Sequence, residues 1–94
     1  MNHPNRNRLA QYGGRIVTID DQRAVELRDP NDNAKRRFQY RRSLDGGLER
    51  RMLREDGSAF IDTGSPWEPY SEHELASLRS MRGQYHPILD SLGL

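Results

Sequence analysis

Alternation of apolar and polar residues predicts strands over the first half of the chain. Arg15–Ile19 (RIVTI) is predicted as a first strand, opened by Gly13-Gly14, and Arg23–Arg28 (RAVELR) as a second strand or a short helix. Asp29–Asn33 consists of turn-forming residues and is expected to be a loop. From Tyr12 onward such turn signals recur about every 8–12 residues, which is the spacing of an antiparallel meander.

Two Asp-Gly pairs in the middle of the chain predict tight hairpin turns. Asp45-Gly46 and Asp56-Gly57 match two-residue turns, in which glycine adopts a positive φ at little steric cost. The first turn would pair Leu44 with Gly47. It would also align Phe38 with Leu53, Arg42 with Glu49 and Arg36 with Glu55. The second turn would align Leu53 with Phe60, Arg51 with Asp62 and Met52 with Ile61. One apolar row would result, consisting of Phe38, Leu53 and Phe60 with Tyr40 and Leu44 on the same face.

A three-residue loop at Asp45–Gly47 is the alternative for the first hairpin. It would place Arg42 opposite Arg50 and Arg41 opposite Arg51. Like charges directly opposite each other destabilise a strand pair, so we expect the two-residue register.

The C-terminal third predicts a helix that begins at a capping box. Ser71 and Glu74 stand at the two positions that cap each other, and Tyr70 and Leu75 occupy the hydrophobic-staple positions around them. The apolar face continues through Leu78 and Met81, and Gly83 is expected to end the helix. The tail from His86 to Leu92 would add one short helical turn, with Pro87 at its first position.

Length and core-forming residues together indicate one small domain. Leu, Ile, Val and Phe number 18 of the 94 residues, and the net charge is only +1, so a marginal globular core is allowed. We predict a flexible polar arm at residues 1–11 and a single α+β domain at residues 12–94. Its architecture would be an antiparallel β-meander of four to five strands with one C-terminal helix packed on one face. The predicted core consists of Phe38, Leu53, Phe60, Trp67, Leu75, Leu78 and Met81.

The residues that are absent exclude several classes of protein. There is no cysteine, which removes disulfides, thiol catalysis and cysteine-based metal sites. No apolar run reaches the roughly 20 residues that a membrane span needs, and a cytoplasmic protein is expected. The histidines His3, His73 and His86 lack metal-ligand spacing. We therefore expect neither an enzyme nor a cofactor or metal.

Basic residues are concentrated in one segment, Lys35–Arg54, which holds eight of them against two acidic residues. In the two-residue register one sheet face would carry Arg37, Arg41, Arg50 and Arg54, with Gln39 and Met52 between them. Arg41 would stand opposite Arg50 and Arg37 opposite Arg54, an arrangement that an anion would relieve. The alternative is a solvated face whose arginines pair with acidic groups. Trp67 is expected either as a contact residue of this surface or as part of the core.

These features predict a small non-enzymatic binding protein. Its Arg-rich hairpin would contact nucleic acid or a ribonucleoprotein. The alternative is a stoichiometric inhibitor or adaptor, of the kind that phages and mobile elements use against host defence, which binds an acidic surface or nucleic-acid channel of a larger machine. A homodimer is a further expectation, because Met52 and Ile61 would otherwise be exposed beside the arginines.

Overall fold

In the part of the chain that the structure describes, a five-stranded antiparallel sheet carries two C-terminal helices on one of its faces. The computed structural model describes residues 9–29, 32–59, 66–81 and 85–94. The strands are β1 (Arg15–Ile19), β2 (Gln22–Arg28), β3 (Arg37–Arg42), β4 (Leu48–Met52) and β5 (Glu68–Pro69), and the helices are α1 (Glu72–Ser80) and α2 (Tyr85–Ser91). Neighbouring strands pair in chain order, β1-β2-β3-β4-β5. The predicted α+β meander is confirmed, with a second helix where one extra helical turn was expected.

The first hairpin is the tightest turn of the sheet. Ile19 pairs with Gln22, so the turn contains only Asp20 and Asp21, with φ of 51° and 62°. Two consecutive residues with positive φ define the primed turn whose twist matches that of the flanking strands. The predicted bounds of β1 are confirmed, and the segment after the turn is a strand rather than a helix.

Replacing Asp21 with glycine should stabilise the protein by about 0.5–1 kcal/mol, because an L-residue pays a steric cost at positive φ that glycine does not. The melting temperature should rise by about 4 °C, measured by circular dichroism. Asp45→Gly is the matched control, since Asp45 does not have a positive φ. Its side chain also accepts a hydrogen bond from Gly47 N–H at 3.1 Å, so this variant should be less stable. A lower melting temperature for Asp21→Gly would contradict the prediction.

The β3–β4 hairpin differs from the predicted register by one residue. Phe38 pairs with Met52 and Tyr40 with Arg50, so both the two-residue turn and the Asp45–Gly47 loop are wrong. The loop consists of Leu44, Asp45 and Gly46, and Ser43 N–H donates to the Gly47 carbonyl across it at 3.0 Å. Only the glycine has a positive φ, 85°, as in a type I turn followed by a left-handed residue.

The second Asp-Gly turn has the same geometry. Gly57 has a φ of 89°, and Arg54 N–H donates to the Ser58 carbonyl at 2.8 Å. Leu53 consequently bridges to Ala59 instead of to Phe60. Phe60, Ile61 and Asp62 lie outside the described residues. On the edge opposite β3, the first half of β4 pairs with β5 through Glu49–Pro69 and Arg50–Glu68.

The capping box predicted for α1 is confirmed. Glu74 N–H donates to the Ser71 hydroxyl at 3.1 Å, and Ser71 N–H donates to the Glu74 carboxylate at 3.0 Å. These bonds hold the pKa of Glu74 below its ordinary value. The helix ends at Ser80, and Met81 is exposed rather than part of the core. Gly83 lies outside the described residues.

Helix α2 starts earlier than the sequence predicted. It begins at Tyr85, so Pro87 is its third residue and not its first. The helix ends in a Schellman motif, in which Leu94 N–H donates to the Leu89 carbonyl at 2.8 Å and Gly93 has a φ of 74°.

The core lies between the helices and one sheet face, which we call the inner face. The sheet contributes Val25, Leu27, Phe38, Tyr40 and Leu48, and the helices contribute Leu75, Leu78, Tyr85, Ile88 and Leu89, with Leu9 and Leu92 completing the cluster. Leu9 comes from the segment predicted as a polar arm, of which residues 1–8 lie outside the described residues. Leu44 is fully exposed at the β3–β4 loop, which corrects its expected place in the apolar row. None of the helices in the described ranges is long and apolar enough to cross a bilayer.

Candidate functional site

The sheet face opposite the helices, here called the outer face, is rich in arginine. Strand alternation places five arginines and two glutamates on it: Arg15, Arg28, Arg37, Arg41, Arg51, Glu26 and Glu49. Strand alternation places Arg23, Arg42 and Arg50 on the side of the helices, which carry Arg79 and the acidic residues Glu72, Glu74 and Asp90 in the described residues. The excess of positive over negative charge is therefore larger on the outer face than on the helix side.

Glu26 is the centre of a hydrogen-bond network on the outer face. Its carboxylate is almost fully buried and accepts from Arg15 Nη2 at 3.0 Å and from Gln39 Nε2 at 2.8 Å. Arg37 Nη1 lies 3.9 Å from the same carboxylate, and Arg51 Nε donates to Gln39 Oε1 at 2.8 Å. One carboxylate thus positions three guanidinium groups, two directly and one through Gln39.

The Trp67 ring contacts two of these arginines. The guanidinium carbon of Arg41 is 3.9 Å from the Trp67 ring centroid and that of Arg51 is 4.7 Å. Arg41 also pairs with Glu49 at 3.2 Å and with Asp20 at 3.4 Å. Burial, and then the nearby charge of Arg41, lower the pKa of Arg51. The expected core position of Trp67 is therefore wrong, because the ring packs under cations on the opposite side of the sheet.

The predicted arginine face is divided between the two faces of the sheet. Arg37, Gln39, Arg41 and Trp67 do lie together on the outer face. The one-residue shift in register turns Arg50 and Met52 to the inner face, where Met52 packs against the core. Arg54 is exposed at the entrance to the second Asp-Gly turn.

Arg50 belongs to a buried polar cluster under the helices. Its guanidinium carbon lies 4.3 Å from the Phe38 ring centroid, and Nη1 lies 3.5 Å from Asp29 Oδ2. The Tyr85 hydroxyl donates to the same carboxylate at 3.4 Å. Burial raises the pKa of Tyr70 to about 12, although the Arg50 charge acts in the opposite direction. These contacts make Arg50 part of the packing of the inner face, with 29% of its side chain still accessible.

Sequence reasoning missed Arg15, Arg28 and Arg51 as members of the cationic face. The signal that could have identified Arg51 is the apolar pair Leu48 and Met52 in β4. These two side chains lie on the same face of the strand as Arg50. Burying them therefore puts Arg51 on the outer face with Glu49.

No group of three or more histidine or acidic side chains within the described ranges is arranged to hold a metal ion. No known family, curated protein or solved structure matches this chain. The properties of the site therefore rest on its own geometry.

Proposed function

We propose that the protein binds nucleic acid through its outer face. The observation that carries the proposal is the pair of like charges, Arg41 and Arg51, held over one Trp67 ring in a face with three further arginines. Guanidinium groups bind phosphate oxygens in bidentate geometry. A polyanion laid along this face would supply the counter-charge that Glu26, Glu49 and Asp20 supply only in part.

The geometry favours backbone contact over reading of bases. Arg41 and Arg51 both pack against Trp67, so that ring is less accessible for stacking on a base than an open aromatic platform. Phe38 and Tyr40, the aromatic residues of the basic hairpin itself, are buried in the core. Binding should consequently depend strongly on salt and weakly on sequence. A ribonucleoprotein would present the same phosphates.

The salt dependence of binding tests the proposal. Duplex and single-stranded DNA and RNA would be titrated with protein by fluorescence anisotropy at several salt concentrations. About four phosphate contacts predict a log–log slope of roughly −3 to −4 on duplex. The Arg41→Gln/Arg51→Gln variant should reduce the magnitude of that slope by about two and weaken binding at least tenfold at low salt.

A matched variant separates the effect of the outer-face arginines on binding from the effect of net charge. Arg23→Gln/Arg79→Gln changes the net charge equally, and these arginines donate instead to the carbonyls of Ser91 and Leu94. We expect this control to bind almost as well as the wild type. Equal loss in both variants would show that net charge alone attracts nucleic acid, and no binding at low salt would reject the proposal.

A second candidate function is supported by Leu44. This leucine is fully exposed at the tip of the β3–β4 hairpin, where it could enter an apolar pocket of a partner protein, as an inhibitor or adaptor would require. Leu44→Ser should leave the anisotropy titrations unchanged. This candidate would be favoured if the wild type bound a protein partner but no nucleic acid, and if Leu44→Ser no longer bound that partner.

A further inference from the structure

A cationic pocket lies at one end of the outer face. The start of β1, the end of β2 and the start of β3 meet there because the strands are antiparallel. The pocket has a volume of about 420 Å³, and its lining includes Tyr12, Arg15, Glu26, Arg28 and Arg37. The lining therefore contains three arginines and a single carboxylate. The volume lies within the range of small-molecule sites, roughly 300–1,000 Å³.

Two of the three arginines are held in an unfavourable arrangement. Arg28 and Arg37 are direct cross-strand partners, and in the ladders between the described strands no other directly opposed pair has like charges. Such a pair destabilises a sheet. Arg28 is oriented by donating to the Lys35 carbonyl at 2.9 Å, whereas Arg37 is 3.9 Å from the Glu26 carboxylate that Arg15 already engages.

We infer that this pocket takes a phosphate monoester at the end of a nucleic-acid strand. The inference rests on the proposed function and names the group that its pocket would select. The three arginines and Glu26 leave an excess of two positive charges. A phosphate monoester carries about −1.5 to −2 at pH 7, whereas each internal phosphodiester carries a single negative charge. A terminal phosphate therefore matches the pocket better than the continuous backbone does.

Tyr12 supplies a surface for the nucleotide that carries this phosphate. Its side chain lines the pocket and remains partly exposed at its edge. Base–aromatic stacking tolerates any base, so the site should recognise the strand end without selecting its sequence. The remaining strand could then follow the outer face toward Arg41 and Arg51.

Oligonucleotides that differ only in their end groups test the inference. One short single strand would be prepared with a 5′-phosphate, with a 3′-phosphate, or with hydroxyls at both ends, and titrated at fixed salt. We expect one of the two phosphorylated strands to bind about tenfold more tightly than the hydroxyl strand, which corresponds to about 1.4 kcal/mol. The arm that binds more tightly identifies which end of the strand the pocket accepts.

Two double variants assign the preference to the pocket. Arg28→Gln/Arg37→Gln should bring the phosphorylated and hydroxyl strands to equal affinity. Because it removes the like-charge pair, this variant should also be at least as resistant to urea as the wild type, which shows that it folds. Arg41→Gln/Arg51→Gln should weaken every strand by the same factor and keep the tenfold ratio.

The outcomes separate this inference from the function on which it rests. Equal binding of all three strands by the wild type would overturn the end-phosphate site and leave nucleic-acid binding intact. A preference that survives in Arg28→Gln/Arg37→Gln would overturn the assignment to this pocket. If no strand bound even at low salt, both proposals would fall.

Discussion

Replacing Arg50 with methionine is expected to lower the free energy of unfolding by about 2–4 kcal/mol. Arg50 forms a salt bridge to Asp29, a carboxylate that is almost fully buried. Removing the cation leaves that charge in a poorly solvated site, where the Tyr85 hydroxyl still donates to it but the Arg50 guanidinium no longer offsets it. Methionine retains much of the packing against Phe38, so most of the loss should be electrostatic. Urea denaturation followed by circular dichroism measures the change.

A second substitution distinguishes the lost charge pair from lost packing. Asp29→Asn in the Arg50→Met background should recover at least half of the loss, because the buried negative charge is then gone. Arg54→Met serves as the control, since Arg54 is exposed and its replacement should change stability by about 0.5 kcal/mol or less. If the double variant were no more stable than Arg50→Met, the contribution of Arg50 would be packing on Phe38 alone.

Short-range signals in the sequence predicted their structures correctly. The bounds of β1 and the capping box between Ser71 and Glu74 depend on residues within a few positions of each other, and both are confirmed. The expected meander order depends on turns between consecutive strands, and it is confirmed as well. In each case the stabilising partners are neighbours along the chain.

The register of the central hairpin depends on a choice that the Asp-Gly pairs alone do not settle. Asp45 can occupy either a primed two-residue turn or the middle of a three-residue loop. In the observed loop it accepts a hydrogen bond from the Ser43 hydroxyl as well as from Gly47 N–H. The long-range gain is the burial of Leu48, a residue that is only 1% exposed. Tertiary packing therefore fixed the register, and a one-residue shift reverses the face of every side chain in a strand.

That shift explains why the candidate site was only partly predicted. The concentration of arginines in Lys35–Arg54 correctly indicated a cationic sheet face, but Arg50 lies on the inner face and Arg54 lies beyond the end of β4. Arg15 and Arg28 come from strands outside the basic segment and are joined to Arg37 only through pairing of β1 and β2 with β3. Their convergence is a property of the sheet and is not visible in local charge density.

Glu26→Gln is expected to change stability and nucleic-acid affinity in opposite directions. The carboxylate accepts hydrogen bonds from both Arg15 and Gln39, whereas an amide has one acceptor oxygen and turns its NH₂ toward a donor. At least one buried hydrogen bond is lost, so the free energy of unfolding should fall by about 1–3 kcal/mol. The same substitution removes a negative charge from the cationic face, so polyanions should bind several-fold more tightly at low salt.

Glu72→Gln is the matched control for these opposite changes in stability and affinity. Glu72 is exposed in the first turn of α1 on the helix side, so losing its charge should cost about 0.3–1 kcal/mol through the helix dipole. Nucleic-acid affinity should scarcely change, because the lost charge is not on the outer face. Weaker nucleic-acid binding by Glu26→Gln, in protein still folded at the assay temperature, would mean that the ordering of Arg15 and Arg37 by Glu26 matters more than their excess charge. Tighter binding with reduced stability would instead show that Glu26 stabilises the cationic face at the expense of its affinity for polyanions.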